Sequence, residues 1–396
     1  MAMAVMSESV ILDLDTHNTH EFLVAPTIEY DNILQSGPLK PYFIKGGVKD
    51  KYKWSHLEKP KYNFQPNRGC EWEPRVAFNL YSNETAVCDF EIMSEQCYDD
   101  FNEGCLRNLQ PSGNEVTSTT GTSTLSAIQR AMLSLVREGM VDDIYRIGWF
   151  SDPTFGTGSY GTTIDLSGLT AAEEENLIEM LQHCSGWWFQ LEVRSQSTDP
   201  KFRVVRLDTN DGTAAGNYMN PANITKLFEN AVNFSSAKLR MWKRSMPLAQ
   251  RPIFLLQTGL FNAFMAYLEA KGQEPAYQLI VNGTPVDGVY SWRGYVVAEV
   301  PEWDLFDMET GVWNTSLGYS NKQRFIFTAQ ENLCIAHDIG TLAGRPGSGL
   351  VIQESPLLIH KRKTWTWSAL RIGFGIAHNE LITVGWNSDT DFTVGI

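Results

Sequence analysis

Cys334, His337 and Asp338 lie close together in the sequence and are the residue types of a nucleophile, a base and a group that orients the base. Such a set works only if the three side chains converge, and a simple turn explains the same order of residues. His183 and Cys184 are adjacent, which directs their side chains apart, and the sequence contains no GxSxG elbow. We therefore predict no catalytic residues.

Three other stretches match ligand-binding motifs only in part. Gly156–Gly161 fits the letters GxGxxG, but no helix is predicted after it, so no helix N-terminus would meet a phosphate. Asp208–Gly212 resembles a calcium loop, yet its glycine comes one place early and the closing glutamate is absent. His17–Glu21 offers metal-binding side chains without a helix to align them. The sequence predicts neither a metal site nor a cofactor.

The composition is that of a large, folded, acidic protein. Its 396 residues are 43% hydrophobic and 20% charged, which supports a packed core and exceeds the usual size of one domain. The net charge of −14 argues against strong binding to nucleic acid through phosphates, and the one dense basic run, residues 360–363, is short. Aromatic residues reach 12%, a composition favoured where apolar surfaces meet a partner.

The cysteines suggest no metal or redox motif. Six are present, four of them between Cys70 and Cys105, and none forms a CxxC pair. The first 14 residues carry neither a basic residue nor an apolar block, so we expect no secretory signal and reduced thiols. No apolar stretch approaches the length of a membrane helix.

The first hundred residues predict an extended arm followed by a long ribbon. Residues 1–45 show no sustained helical period. Apolar residues alternate with polar ones between Tyr52 and Met93, and Ser82–Glu84 is predicted to be the turn between two strands. Because a lone hairpin is marginally stable in water, this one must lie on something else, such as a neighbouring copy of the chain.

The next stretch predicts one clear helix and an inserted segment. Apolar residues at helical spacing predict a helix over 123–139, and 144–150 is predicted to be a short strand. Residues 151–219 are polar and glycine-rich, which indicates an insertion and not a core unit. Within it, Thr170 and Glu173 match a capping box and predict the start of a helix.

From Asn220 onward the pattern predicts a compact α/β unit. A helix is predicted to start at Asn220-Pro221, and Asn282-Gly283 is typical of a hairpin turn. Leu370 to Ile376 alternate on one face of a long strand, onto which 381–384 is predicted to pair back. The other predicted elements are a strand over 253–256, a helix over 258–271, and strands over 277–281, 295–300 and 324–328.

This order of elements resembles the Hong Kong 97-type fold of tailed-phage major capsid proteins, which encapsulins share. The stretches that carry the resemblance are the hairpin at 52–93, the helix at 123–139 with Arg146–Asp152 after it, the strand and helix at 253–271, Ser291–Val297, Arg324–Thr328 with Asn332-Leu333 and His337-Asp338, and Thr364–Trp386. It is strongest over 220–386, weaker over 45–150 and absent over 151–219.

The resemblance implies an α+β fold of five parts. These are an N-terminal arm over 1–45, an extended hairpin (E-loop) and strand return over 46–105, a peripheral domain with a spine helix over 106–150 and 350–396, an insertion over 151–219, and an axial domain over 220–349. An arm and a projecting hairpin cannot bury their apolar surface alone, so the fold implies assembly.

The implied function is that of a non-enzymatic major capsid protein of the virion, assembled in the host cytoplasm. Copies would form hexamers and pentamers of an icosahedral head around double-stranded DNA, which they touch non-specifically at most. A portal is an implied partner, and scaffold, decoration or minor capsid proteins stay open. Aromatic side chains that would anchor neighbouring subunits are Tyr62, Phe64, Trp72, Trp365 and Trp367, unless they fill the subunit's own core.

Three alternatives remain at this point. A minor virion protein, such as a vertex or decoration protein, would form small rings and not a shell. An encapsulin-type compartment has the same fold and encloses a cargo enzyme instead of DNA. A secreted, β-rich carbohydrate-binding or hydrolytic protein predicts a compact monomer with a sugar cleft and two carboxylates within reach of each other. The latter needs a secretion signal, which the sequence does not show.

Overall fold

The computed structural model describes residues 21–24, 42–58, 79–97, 139, 142–154, 169–197, 204–208, 218–245, 251–272, 278–281, 284–304, 323–337, 350–355 and 363–386. These residues form an α+β protein with two large sheets and a separate two-stranded ribbon. In this part of the chain, no helix has the length and apolar character needed to cross a membrane.

The strands are numbered in chain order. They are β1 (Glu21–Val24), β2 (Tyr42–Gly46), β3 (Lys51–Glu58), β4 (Asn79–Ala86), β5 (Cys88–Cys97), β6 (Val205–Asp208), β7 (Ile253–Leu256), β8 (Gln278–Val281), β9 (Thr284–Trp292), β10 (Tyr295–Glu299), β11 (Arg324–Thr328), β12 (Leu333–His337), β13 (Leu350–Ser355), β14 (Lys363–Ile376) and β15 (Ile382–Trp386).

The first sheet is organised around the 14-residue strand β14. Its strands follow the order β1-β13-β14-β12-β2, and β5 also pairs with β14. The β5 pairing is antiparallel and runs from Lys363 opposite Cys97 to Ile372 opposite Cys88. The long strand therefore holds the start of β5 close to its own C-terminal half.

The second sheet has seven strands in the order β6-β15-β11-β7-β10-β9-β8. All four residues of its central strand β7 are buried. Ile253 and Leu255 face one hydrophobic cluster, whereas Phe254 and Leu256 face another. This alternation is expected of a strand that is covered on both faces of its sheet.

This sheet contains two hairpins. In the first, Val281 of β8 pairs with Thr284 of β9, and the predicted turn residues between them, Asn282-Gly283, lie outside the described residues. Between β9 and β10, Arg293 and Gly294 have φ angles of 47° and 78°. Positive φ at both central residues is the requirement of the tight turn that matches the twist of a hairpin.

Two of the passages of the chain between the two sheets lie next to each other. Residues 329–332 lead from β11 in the second sheet to β12 in the first, and 377–381 lead from β14 in the first to β15 in the second. We call these residues the junction. Asn332 joins its two segments, because its Nδ2 donates to the carbonyl oxygen of His378 at 3.1 Å and its Oδ1 accepts from the His378 N–H at 2.8 Å.

The predicted return of 381–384 onto the long strand is wrong. β15 pairs with β11 and β6 in the second sheet, with Val384 opposite Ile326 and Arg206. A short 3-10 turn at Asn379–Leu381 takes the chain out of the first sheet before β15 begins. The alternation in the sequence predicted a strand here but did not specify its partner.

The helices are α1 (142–150), α2 (Ala171–Gln182), α3 (Trp187–Ser195), α4 (Ile224–Phe234), α5 (Ala237–Ser245) and α6 (Thr258–Ala270). The strand predicted over 144–150 is wrong, because this stretch is helical. A short apolar run does not distinguish a buried helix from a strand. The helix predicted over 123–139 lies outside the described residues except for Gly139, which is helical.

Of two predicted helix starts, one is confirmed and the other is displaced. The capping box is confirmed: Thr170 N donates to Glu173 Oε2 at 2.8 Å, and Glu173 N donates to Thr170 Oγ1 at 3.4 Å. The helix predicted from Asn220-Pro221 begins three residues later, with Asn223 as its N-cap. Asn220 instead forms a turn in which its Oδ1 accepts from Ala222 N at 3.0 Å.

Two buried clusters hold the fold together. The second sheet packs on α4 and α6 through one cluster, which includes Phe228, Phe254 and Phe264. The other cluster joins both sheets to α1 and α3 and contains four tryptophans, namely Trp149, Trp187, Trp188 and Trp303.

Residues predicted to form an insertion contribute to this second cluster. Trp187, Trp188 and Leu191 of α3 are all buried in it. The expectation that 151–219 contributes nothing to the core is therefore wrong for α3. The boundaries of the five predicted parts stay a prediction.

Candidate assembly site

The ribbon formed by β3 and β4 leaves the body of the molecule beside the junction. Its two strands pair only with each other among the described residues, from Lys51 opposite Ala86 to Glu58 opposite Asn79. At its base, Val87 N donates to the carbonyl oxygen of Asp50 at 2.8 Å, and Val48 N donates to that of His337 at 3.1 Å. We call residues 51–55 and 82–86 the hairpin root.

The predicted turn at Ser82–Glu84 is wrong, because these residues lie in the middle of β4. They pair with Lys53, Trp54 and Ser55 of β3. Ser82 and Glu84 are polar because they lie on the exposed face of the ribbon. A run of polar residues in such a strand has the same composition as a turn, which is why a turn was predicted. Lys51 and Glu84 lie on this exposed face with their charged atoms 3.0 Å apart, and the hydrogen bond between them raises the pKa of Lys51 and lowers that of Glu84.

The other face of the hairpin root is aromatic and buried. Trp54 is 9% exposed, and its Nε1 donates across the ribbon to Thr85 Oγ1 at 2.8 Å. The rings of Tyr52 and Phe43 lie 4.5 Å and 5.3 Å from that of Trp54. Because an indole carries one donor, this bond allows Trp54 to be buried without leaving that donor unsatisfied.

Glycines in β14 make room for the root. A Cβ added at Gly373 would collide with the carbonyl oxygen of Ala86, and one added at Gly375 would collide with Thr85 Oγ1. The ribbon therefore rests directly on the long strand at these two alternate positions, through its backbone at Gly373 and through the Thr85 side chain at Gly375. A side chain at either glycine would displace it.

Asn83 ties the hairpin root to the junction. Its Nδ2 donates to the carbonyl oxygens of Ile376 and Ala377 at 2.8 Å each, and lies 3.4 Å from Asn379 Oδ1. Asn379 Oδ1 also accepts from Arg194 Nη1 of α3 at 2.6 Å. A connected set of hydrogen bonds thus runs from the ribbon through the junction to α3. Burial of the Arg194 guanidinium lowers its pKa to about 10.

Asn83→Asp should destabilise the subunit by about 2–3 kcal/mol, because an acceptor would face two carbonyl oxygens in place of a donor. The destabilisation should shrink at low pH. These acceptors favour the protonated form of the new carboxyl and raise its pKa in the folded state. The loss of stability is therefore complete above that raised pKa, shrinks as the pH falls, and is absent below the pKa of the unfolded state. Urea unfolding at pH 7 and pH 4 measures both effects.

Asn233→Asp is the matched control, since Asn233 is exposed in α4. Its stability should change by less than about 0.5 kcal/mol. Equal losses for the two variants would show that Asn83 does not anchor the ribbon.

A groove of about 280 Å³ opens between the hairpin root and the junction. Phe43, Tyr52 and Trp54 line one side, and Gln330 and His378 line the other. Phe43 keeps 38% of its surface exposed there. The groove thus has one aromatic wall and one wall with polar side chains, at the place where the ribbon leaves the body.

The residues considered for catalysis do not form a catalytic set. Cys334 and His337 are three positions apart in β12, which places their side chains on opposite faces of the strand. Burial raises the pKa of the Cys334 thiol to about 12, so it is not a thiolate at neutral pH. Cys184 is bonded to Cys88, and His183 packs against Phe90 with ring centres 5.2 Å apart. The disulfide corrects the expectation that all thiols are reduced.

No metal site is formed by the described residues, because no three of their metal-binding side chains converge. Gly156–Gly161 lies outside the described residues, as do all but Asp208 of the calcium-like loop and all but Glu21 of the histidine-containing stretch. Asp208 ends β6, and Glu21 begins β1.

The predicted intersubunit anchors stay predictions. Tyr62, Phe64 and Trp72 lie between β3 and β4, outside the described residues. Trp365 and Trp367 lie in β14, with backbone partners Glu95 and Met93 in β5.

Sequence reasoning did not identify Asn83, Thr85 or Gly373, whose contacts depend on residues far away in the chain. The alternation of glycine with apolar residues at 373–375 was the one local sign that a backbone approaches β14 closely.

Shell proteins are among the solved structures to which the chain is similar. A chain of the satellite phage P4 procapsid, which includes its size-determination protein, has a TM-score of 0.45 and 12% identity, over 91% of this chain and 98% of that chain. The capsid of Ralstonia phage GP4 has a TM-score of 0.45 and 10% identity over 88% of each chain. The holo-SrpI encapsulin complex from Synechococcus elongatus has a TM-score of 0.39 and 10% identity, over 90% of this chain and 88% of that chain.

No family model and no curated protein matches the sequence. At TM-scores below 0.5 the structural likeness is distant, and we base the function on the chain's own sequence and geometry.

Proposed function

We propose that this chain is the major capsid protein of a tailed-phage-type particle, with a structural and not a catalytic role. The observation that carries the proposal is the ribbon: two paired strands fixed to the body at their root, with no third strand alongside them in the described residues. A two-stranded ribbon is marginally stable on its own in water. It becomes stable when another surface covers it, and neighbouring copies in a shell supply that surface.

The architecture of the body supports the same proposal. In the arrangement we infer, β14 belongs to the peripheral domain, and strands β7 to β11 with α4 and α6 form the axial domain that surrounds each symmetry axis. Copies would assemble into hexamers and pentamers, with Tyr62, Phe64, Trp72, Trp365 and Trp367 as candidate contacts between them.

The charge of the chain fits a DNA container. A subunit with a net charge of −14 repels a polyanion, so packaged double-stranded DNA would be enclosed without being tightly bound to the wall. We propose the virion as its location, with assembly in the host cytoplasm. A portal, and where needed scaffold or decoration proteins, would complete the particle.

The purified chain should form closed icosahedral particles, with hexamers and pentamers as intermediates. Sedimentation velocity and electron microscopy of the full-length chain, across a range of concentrations, test this directly. A stable monomer at high concentration would overturn the proposal. Particles recovered from the natural source should protect double-stranded DNA from nuclease, whereas a cargo enzyme in their place would identify an encapsulin-type compartment.

A further inference from the structure

The disulfide lies where the ribbon meets the body. Cys88 is the first residue of β5, two residues after the hairpin root ends, and Cys184 lies in the turn between α2 and α3. Their Cα atoms are 5.9 Å apart, within the normal range for a disulfide, and 96 residues separate them in the sequence. Cys184 is 4% exposed, whereas Cys88 is half-buried.

The same two segments also touch through side chains other than the two cysteines. Phe90, two residues after Cys88 and therefore on the same face of β5, packs against His183. Ile372 of β14 pairs with Cys88 and holds the start of β5 in place. Packing and strand pairing, and not the sulfur–sulfur bond alone, therefore hold these two segments together.

We propose that Cys88 and Cys184 form an oxidative locking site: they are thiols while the subunit folds and assembles in a reducing compartment, and they close after the particle leaves it. The timing of closure relative to particle assembly rests on the proposed function, whereas the pairing of the two cysteines does not. Once closed, the bond attaches β5, and with it the hairpin root, covalently to the α2–α3 turn.

The reaction needs an oxidant, and a small-molecule disulfide such as oxidised glutathione suffices. The more exposed Cys88 attacks it as a thiolate and releases one glutathione thiol, which leaves a mixed disulfide. Cys184 then attacks the Cys88 sulfur and releases the second thiol. One disulfide is reduced to two thiols, and one disulfide forms in the protein. Access to Cys88 allows the first step, and burial of Cys184 protects the product from reduction.

The test follows the two cysteines through lysis. The full-length chain is made in a reducing cytoplasm, alkylated at lysis in one half of the sample, and treated with oxidised glutathione before alkylation in the other. Peptide mass mapping should find Cys88 and Cys184 alkylated in the first half and joined in the second. Oxidation should raise the melting temperature by roughly 5 °C, as expected for a long closed loop in a chain of this size.

Cys88→Ser and Cys334→Ala complete the design. Cys334 is buried and unbonded, so Cys334→Ala should keep the whole oxidation-dependent shift, whereas Cys88→Ser should lose it. Alkylation of both cysteines after oxidation, closure of the bond already at lysis, or an equal shift in Cys88→Ser would each overturn the inference. A chain that closes the bond but never forms particles would contradict the proposed function and leave the locking site intact.

Discussion

Shortening the ribbon to its root should give a folded subunit that forms no closed particles. Residues 57–80 are removed, and His56 is joined to Tyr81 through an Asn-Gly turn. His56 and Tyr81 are already opposite each other in the ribbon, so a two-residue turn closes the ladder without shifting its register. The Trp54–Thr85 hydrogen bond and the Asn83 bonds to the junction all lie outside the deletion, so the root keeps its anchors.

Particle formation and folding are measured separately on this variant. Its far-ultraviolet circular dichroism and melting temperature should stay close to those of the wild-type subunit, while sedimentation velocity and electron microscopy should find no shells. A triple variant, Tyr62→Ala, Phe64→Ala and Trp72→Ala, keeps the full length and removes only the proposed anchors. We expect it to lower the yield of particles at a given concentration. Normal shells from the shortened chain would show that the ribbon is dispensable for assembly.

Some features that depend only on neighbours in the sequence were predicted correctly. The Thr170–Glu173 capping box and the helix from Thr258 are both present in the structure. Their energies are local, because a cap or a turn satisfies backbone groups within four or five residues of itself. The surrounding fold has little influence on such features.

Features that depend on distant partners were not predicted. β15 has the alternation of a strand, but the 3-10 turn at Asn379–Leu381 assigns it to the second sheet. Residues 144–150 are helical, although a short apolar run fits either element. The choice in both cases is made by tertiary packing, which a sequence pattern does not contain.

The candidate assembly site was predicted in outline only. The predicted hairpin within 52–93 had its turn at Ser82–Glu84 and its second strand near Cys88, whereas β4 pairs with β3 and β5 pairs with β14. The anchoring of the ribbon was not predicted either, since Asn83 bonds to residues 293 and 294 positions away. The Cys88–Cys184 bond joins residues 96 apart, a pairing that spacing alone cannot select. Such contacts leave no motif, because each partner is an ordinary residue in its own local sequence.

The cluster of tryptophans should be the part of the subunit that is least tolerant of truncation. Trp149 is completely buried, and its ring centre lies 4.5 Å from that of Trp187 and 5.0 Å from that of Trp303. It therefore joins α1 to α3 and to the end of the second sheet. The same cluster includes Phe374 of β14, whose ring centre is 5.0 Å from that of Trp187, so the first sheet is also attached to it.

Trp149→Ala should lower the free energy of unfolding by about 3–5 kcal/mol, because it removes a whole buried indole and leaves a cavity between elements that cannot easily collapse. Trp149→Phe keeps an aromatic ring and should cost less. Phe234→Ala is the matched control: Phe234 is 59% exposed at the end of α4, and its loss should change stability by less than about 0.5 kcal/mol. Urea unfolding is best followed in the shortened-ribbon background, where assembly does not add its own stabilisation. If Trp149→Ala and Phe234→Ala were equally stable, the tryptophan cluster would not be what holds the two sheets together.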